Sequence, residues 1–248
     1  MKGQLRAELL KQRTTRTILG LFAAMLGLVL LAVLLHSFGL PADALGDASR
    51  QLMVLGRGEF LGALFAALLG ALSVTSEIRH GTIRPTFLAT PQRARVVAAK
   101  VSMGVLIGAG FGLVAGAVAT IVGAAALQER GIDVQLDAGD YALLVAGATG
   151  AAALWAAIGV GIGALVRHQV PTMIGLCAWL LFVEGLLADS TGGLGDVARF
   201  LPGSAAAAIS GQGPDTLLAP ALGLVLLVAY AATAAVAGAI ATNRRDVE

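Results

Sequence analysis

Six apolar runs dominate this chain, at roughly Thr17–Phe38, Met53–Thr75, Ala98–Leu127, Tyr141–Val166, Val170–Ala188 and Leu217–Thr242, and they leave few folds open to it. Each reaches the ~18 residues that mark a spanning helix, and at ~1.5 Å per residue each is long enough to cross a hydrocarbon core ~30 Å thick. In lipid an unpaired backbone N–H or C=O has no water to turn to, so runs of this kind must be helical. Composition agrees: 57% of the 248 residues are hydrophobic and 13% are charged, about half the ~25% charge of a soluble domain. The mean hydropathy is +0.85. The fold class this implies is an all-α membrane protein of about six transmembrane helices. Residues 1–16 are expected to form an amphipathic interfacial helix and residues 17–248 a single transmembrane domain. The first run is 22 residues long, beyond the ~7–15 of a secretory signal core. It reads as a helix that stays.

Orientation follows from the basic residues, which favour cytoplasmic loops. With the N-terminus inside, only Arg50, Arg57, Arg130 and Arg199 of the 17 lysines and arginines fall outside, leaving 13 within. Six crossings then return the C-terminus to the cytoplasm. The expected location is therefore a bacterial inner membrane, multi-pass, with both termini cytoplasmic. The link at residues 76–97 is a charged cytoplasmic loop. The link at residues 189–216 is the longest outer one, and in it Val197–Ile209 is apolar but too short to span, which predicts a re-entrant or interfacial helix.

Little in the chain supports chemistry of its own. Cys177 is the single cysteine, and His36, His80 and His168 are far apart, so no metal site is expected. No phosphate-binding loop, H-E-x-x-H or G-x-S-x-G occurs, which excludes a recognisable ATPase, metalloprotease or serine hydrolase and leaves no catalytic residue to name. A net charge of +2 gives no footing for nucleic acid. Charge inside the apolar runs is sparse: Glu184 lies in the outer half of the fifth, and Arg57 and Glu59 stand where the second begins. Glu184 is too near the surface to suggest a midplane proton relay. Gly104, Gly108, Gly112 and Gly116, four apart on the third helix, form a ridge for close backbone approach. The preferred reading is a seam with a helix of the same chain, with a dimer seam as the alternative. At the N-terminus Leu5, Leu9 and Leu10 oppose Lys2, Arg6 and Arg13, the pattern of a cationic helix lying in the headgroup layer.

The most specific stretch follows the second helix, from Ser73 to Arg93. Glu77 to Gly81 prolong that helix beyond the membrane, Gly81 supplies a stop, and Thr82 caps a short helix that ends before Pro91. The result is a rigid charged elbow. An ordinary basic loop accounts for its arginines but not for its Glu, Gly, Thr and two prolines.

Glu77-Ile78-Arg79-His80-Gly81-Thr82-Ile83-Arg84, continued by Leu88-Ala89-Thr90-Pro91 and Arg93, resembles the E-x-x-x-G-T element of type-2 ABC transporter permeases, in a form like that of actinobacterial members. Glu8, Lys11 and Arg13-Thr14-Thr15 are similar to that family's N-terminus. Phe200-Leu201-Pro202-Gly203 with its Ala-rich continuation is similar to the family's last outer loop. The resemblance implies that Glu77, Ile78, Arg79, His80, Gly81, Thr82, Ile83 and Arg84 form or border a coupling helix that docks on a separate ATP-binding subunit. Two copies of that subunit, carrying ATP and Mg, would serve two permease copies or a sister pair in the bilayer. It also implies a substrate path along the second and fifth helices, where Phe60, Phe65, Phe182 and Glu184 are candidates, the phenylalanines having lipid or neighbour packing as their alternative. The function expected is export of a hydrophobic or amphiphilic compound. A sensor, immunity or assembly component on the same scaffold is the alternative, and a secondary carrier the third reading.

Overall fold

The computed structural model describes residues 8, 10–11, 16–89, 92–188, 193–212 and 217–244. Among these the chain is all-helical. The helices are α1 (Arg16–Gly39), α2 (Ala48–Leu55), α3 (Arg57–Arg79), α4 (Ile83–Ala89), α5 (Arg93–Glu129), α6 (Ala138–Val166), α7 (Gln169–Ala178), α8 (Glu184–Ala188), α9 (Gly193–Ala198), α10 (Pro202–Ile209) and α11 (Pro220–Arg244). A π-turn, Trp179–Val183, joins α7 to α8. Six helical segments are long and apolar enough to cross a membrane: α1, α2 with α3, α5, α6, α7 through Leu187, and α11. This is an all-α membrane protein.

The spans run further than the apolar runs suggest, because apolarity marks the lipid-facing length and helical hydrogen bonding continues past it. The third span begins at Arg93 and ends at Glu129. Its 37 residues measure ~55 Å, well beyond the bilayer core. At the start of the second span α2 and α3 meet at Gly56, which lies against the Gln212 side chain with no room for a Cβ. The expected helix Val197–Ile209 is two pieces, α9 and α10. They are separated at Leu201, whose extended backbone precedes Pro202 in the first turn of α10, the position where a missing N–H costs nothing.

The second and fourth spans form the interior, each with 67% of its most apolar window buried, against 17% in the first span and 22% in the fifth and sixth. Lipid is as apolar as leucine, so helices associate here through close packing of small residues. A Cβ on Gly112 would lie 2.1 Å from the Ala148 carbonyl oxygen, and one on Gly108 2.7 Å from that of Ala152. The glycine ridge of α5 therefore packs on α6, within the chain. α6 receives α3 in the same way, with Gly70 against Ala156 and Gly159 against Ala67. On a further face Gly161 meets Ala234 of α11. Trp155, 2% exposed, lies in the core among Leu61, Phe65, Phe111 and Leu180.

One end of the bundle, the elbow end, carries α4. The opposite end is closed by a buried amide. Gln51 donates to the carbonyls of Leu45 and Asp133, each at 2.9 Å, and accepts from the Gln135 N–H at 2.9 Å. Arg130 donates to the carbonyls of Ser37 and Leu40, closing the end of α1.

The seam between α5 and α6 sets a clear contrast. Gly112→Val is expected to destabilise the protein by about 1–3 kcal/mol, the usual cost of overpacking. Gly110→Val, where a Cβ meets nothing within 4 Å, is expected to be close to neutral. Thermal unfolding of the two variants in detergent, followed by monodisperse yield, checks the difference.

Candidate functional site

The elbow is built by a helix end and a left-handed glycine. α3 continues past the apolar run to Arg79. His80 turns its Nδ1 to the Ser76 carbonyl at 2.7 Å, and Gly81 takes φ +70°. That conformation is open to glycine at little cost, so Gly81 ends α3 as expected. The Thr82 hydroxyl is turned back to the Glu77 carbonyl at 3.4 Å, where it helps close α3. α4 then runs to Ala89. The guanidinium of Arg93 lies 5.4 Å from the centre of the Phe87 ring and donates to the Thr242 carbonyl of the sixth span at 3.2 Å.

Beneath the elbow sit four charges. The Lys100 ammonium, its side chain 2% exposed, lies 2.8 Å from Glu77 Oε1 and 3.1 Å from Glu8 Oε2, and it donates to the Ser73 carbonyl at 2.9 Å. Lys11 lies 2.9 Å from Glu77 Oε1 and 3.4 Å from Glu8 Oε1. Two carboxylates and two ammonium groups make a formally neutral cluster. It joins the N-terminal segment, α3 and α5, three pieces remote in sequence. Burial alone would lower the pKa of Lys11, but the hydrogen bond and charge of Glu77 and the charge of Glu8 outweigh it and hold the ammonium above its ordinary value of 10.5. Among the described residues Glu77 Oε2 is buried without a partner. A cleft of about 420 Å³ opens beside the cluster, walled by Ile18, Leu21, Leu69 and Leu72 and reaching Arg79 and Gln169. Across it Arg79 donates to Gln169 at 3.2 Å.

The eight residues expected to serve coupling therefore divide by exposure. The Glu77 carboxylate is turned into the chain, its side chain 11% exposed. Ile78 is half-buried and Ile83 buried, while Arg79, His80, Gly81 and Thr82 face out. Arg84 lies in α4, its side chain outside the described residues. Pro85 and Leu88, the latter 84% exposed, continue the outward face. Of the N-terminal amphipathic segment, Glu8, Leu10 and Lys11 are helical, and the remaining residues to Thr15 lie outside the described ones.

The path candidates also divide. Phe60 and Glu184 line a cavity of about 390 Å³ at the opposite end, between the second span, the fifth and α10. Phe65 is packed into the core at 7% exposed, and Phe182 is 70% exposed and outside that lining. Glu184 is fixed by local geometry. A π-turn bonds residue i to i+5 and so brings Glu184 back over Trp179, whose indole N–H donates to Oε1. The backbone N–H groups of Gly203 and Ser204, in the first turn of α10, donate to the same carboxylate. A Cβ on Gly203 would lie 1.9 Å from Glu184 Oε2, so Leu201-Pro202-Gly203 is the sequence of a helix start that admits an acid. Glu59 is 5% exposed and accepts from Gln212 at 3.3 Å.

Lys100 is the residue that sequence reasoning passed over. It counted only toward topology, although a lysine inside the third helical run is an ionisable group that demands a partner. No group of three or more His, Cys, Asp or Glu side chains that could hold a metal occurs among the described residues. No protein-family model and no curated protein matches this chain.

Lys100→Met removes the hub and leaves two carboxylates facing each other. A loss of about 3–5 kcal/mol is expected, the cost of breaking a buried pair from one side. Adding Glu8→Gln and Glu77→Gln is expected to recover much of it. Unfolding curves for the single and triple variants check this. The raised pKa of Lys11 fixes a pH dependence. Its contribution is fully present below its unfolded value near 10.5 and is lost as pH rises through the higher folded value. The N-terminal segment should therefore stay docked across the neutral range and loosen only in strong alkali, as proteolysis of that segment against pH will report.

Proposed function

We propose that this chain is the membrane-spanning subunit of an ATP-driven exporter of the type-2 ABC kind, worked by a separate ATP-binding subunit. The observation that carries the reading is the buried four-charge cluster. It makes α3, α5 and the N-terminal segment one mechanical unit directly beneath an exposed helical elbow. A push on the elbow would be passed to the second span through Glu77 and to the third through Lys100, without crossing a soft loop. The outward residues Arg79, His80, Thr82, Pro85 and Leu88 combine cationic, polar and apolar contacts, the mixture expected where a small helix seats in a protein cleft. Positive-inside bias supports a plasma-membrane protein with the elbow end in the cytoplasm, where ATP is available. The complex proposed holds two ATPase subunits and two permease chains, alike or paired, with ATP and Mg bound on the ATPase.

Glu77 is then the inner anchor of the elbow, and docking falls to its exposed neighbours. Co-expression with candidate ATP-binding subunits tests the division. Arg79→Glu combined with Leu88→Asp is expected to abolish co-purification while the permease itself remains folded. Glu77→Gln is expected to keep the complex but lower permease stability and uncouple ATP hydrolysis from transport. A full complex with the Arg79 and Leu88 double variant would refute the docking assignment.

A further inference from the structure

The cavity at the end opposite the elbow holds more hydrogen-bonding capacity than the chain uses. Trp155 lines it and is 2% exposed, yet its indole N–H has no partner among the described residues. Arg57 lines it too, its Nε buried and without a partner among the described residues. Arg57 also has no ion-pair partner among the described residues. Buried donors are almost always satisfied in native proteins, and a lone one asks for an explanation. Two donors at one cavity call for an acceptor, and a guanidinium calls for an anionic one.

Neither acid at the cavity, Glu59 or Glu184, is paired with Arg57 among the described residues. Glu184 is committed to three donors, Trp179, Gly203 and Ser204. Among the described residues Glu59 has one partner, the neutral Gln212, at 3.3 Å, and so keeps capacity for a cationic donor. The unspent groups are thus one guanidinium, one indole N–H and one carboxylate. Their complement is a head with one anionic and one ammonium group. The remaining wall is apolar, with Met53, Phe60, Leu180 and Leu181. Its volume of about 390 Å³ falls in the ~300–1,000 Å³ range of small-molecule sites. Leu181 is both wall and surface, 46% exposed, so an apolar tail can leave the cavity there toward lipid.

We propose that this cavity binds a zwitterionic amphiphile, its phosphate or carboxylate on Arg57 and the Trp155 N–H, its ammonium on Glu59, and its tail along Phe60 and Leu181. The assignment stands on the cavity alone and holds whether or not an ATPase drives the chain. If the chain is an exporter, it names the class of cargo.

The chain carries its own reporter. Its only two tryptophans are Trp155, on the wall, and Trp179, bonded to Glu184. The full-length protein in a neutral maltoside micelle is titrated with lysophosphatidylethanolamine while tryptophan emission is followed. The arms are an alkyl phosphate and an alkyl ammonium of equal chain length, and tail-free ethanolamine phosphate. Saturable emission change is expected for the zwitterionic amphiphile, at least tenfold tighter than for any of the three arms. Arg57→Gln and Glu59→Gln are each expected to weaken it about tenfold or more, the usual worth of a charge-assisted hydrogen bond, while exposed Arg199→Gln leaves it unchanged. Ala207→Phe, which fills the cavity without touching its charges, is expected to abolish it and covers the case in which a charge variant fails to fold. Equal binding of the alkyl phosphate, together with indifference to Glu59→Gln, would overturn the zwitterion. Equal binding of ethanolamine phosphate would overturn the amphiphile. No saturable change, or one that survives Ala207→Phe, would overturn the site. Because no ATPase is present, these results are independent of whether the elbow docks one.

Discussion

Close backbone approach along the fourth span is the constraint on which the remaining structure rests. Without a hydrophobic drive between helices in lipid, only contact area holds them, and area grows as axes draw together. α6 meets α3, α5 and α11 through glycine or alanine on at least one side, with carbonyl oxygens standing where a Cβ would otherwise be. Three neighbours cannot all be held by large knobs without being pushed apart. Placing small residues on three faces of one helix makes it an axle that fixes the other spans. The first, fifth and sixth spans, free of that demand on most of their surface, carry the exposed leucines, valines and phenylalanines that face lipid.

An apolar axle explains where the ions had to go. A helix packed on glycine and alanine offers nothing to a charge, so Lys100 is buried only where α5 leaves the most apolar length and two carboxylates converge. The pair from Glu8 and Glu77 exceeds one charge, and Lys11 supplies the difference from a more exposed position. Such a cluster is weak as a source of stability, because desolvation offsets much of the attraction. Its consequence is positional: each carboxylate left alone would be costly, so the three segments keep one arrangement.

The six spans were legible because apolar length is a local property. Gly81 was legible as a stop for the same reason, since a glycine after a charged helix end has few other uses. Pairing was not local. Glu8 and Lys100 are 92 positions apart, and nothing in the sequence near either names the other. The glycine ridge of α5 announced a close neighbour without saying which one. The cavity was half legible: Phe60 and Glu184 were candidates from their place on the second and fifth helices. Phe65 and Phe182 have the same credentials by sequence yet point to the core and to the surface, because facing depends on helix rotation and the fifth span carries a π-turn that shifts its register. Arg57 and Trp155 became interesting only once their donors were seen to lack acceptors.

The elbow and the cavity share one rigid element. α3 begins beside the cavity, with Arg57, Glu59 and Phe60, and ends beneath the elbow at Glu77 and Arg79. Its 23 residues span ~35 Å, and no proline interrupts them. Gly58, Gly62 and Gly70 along its length abut α5 and α6 so closely that bending would open several seams at once. Displacement at one end is then most easily met by tilt or sliding of the whole helix, the small shear motions available to packed helices. Tilt would alter the separation between Glu59, which rides on α3, and Glu184, which is tied to α10. On the proposed exporter reading, the charge cluster holds one end of a stiff rod and the polar cavity lies at the other, and the packing between them is too tight to absorb a motion imposed on either.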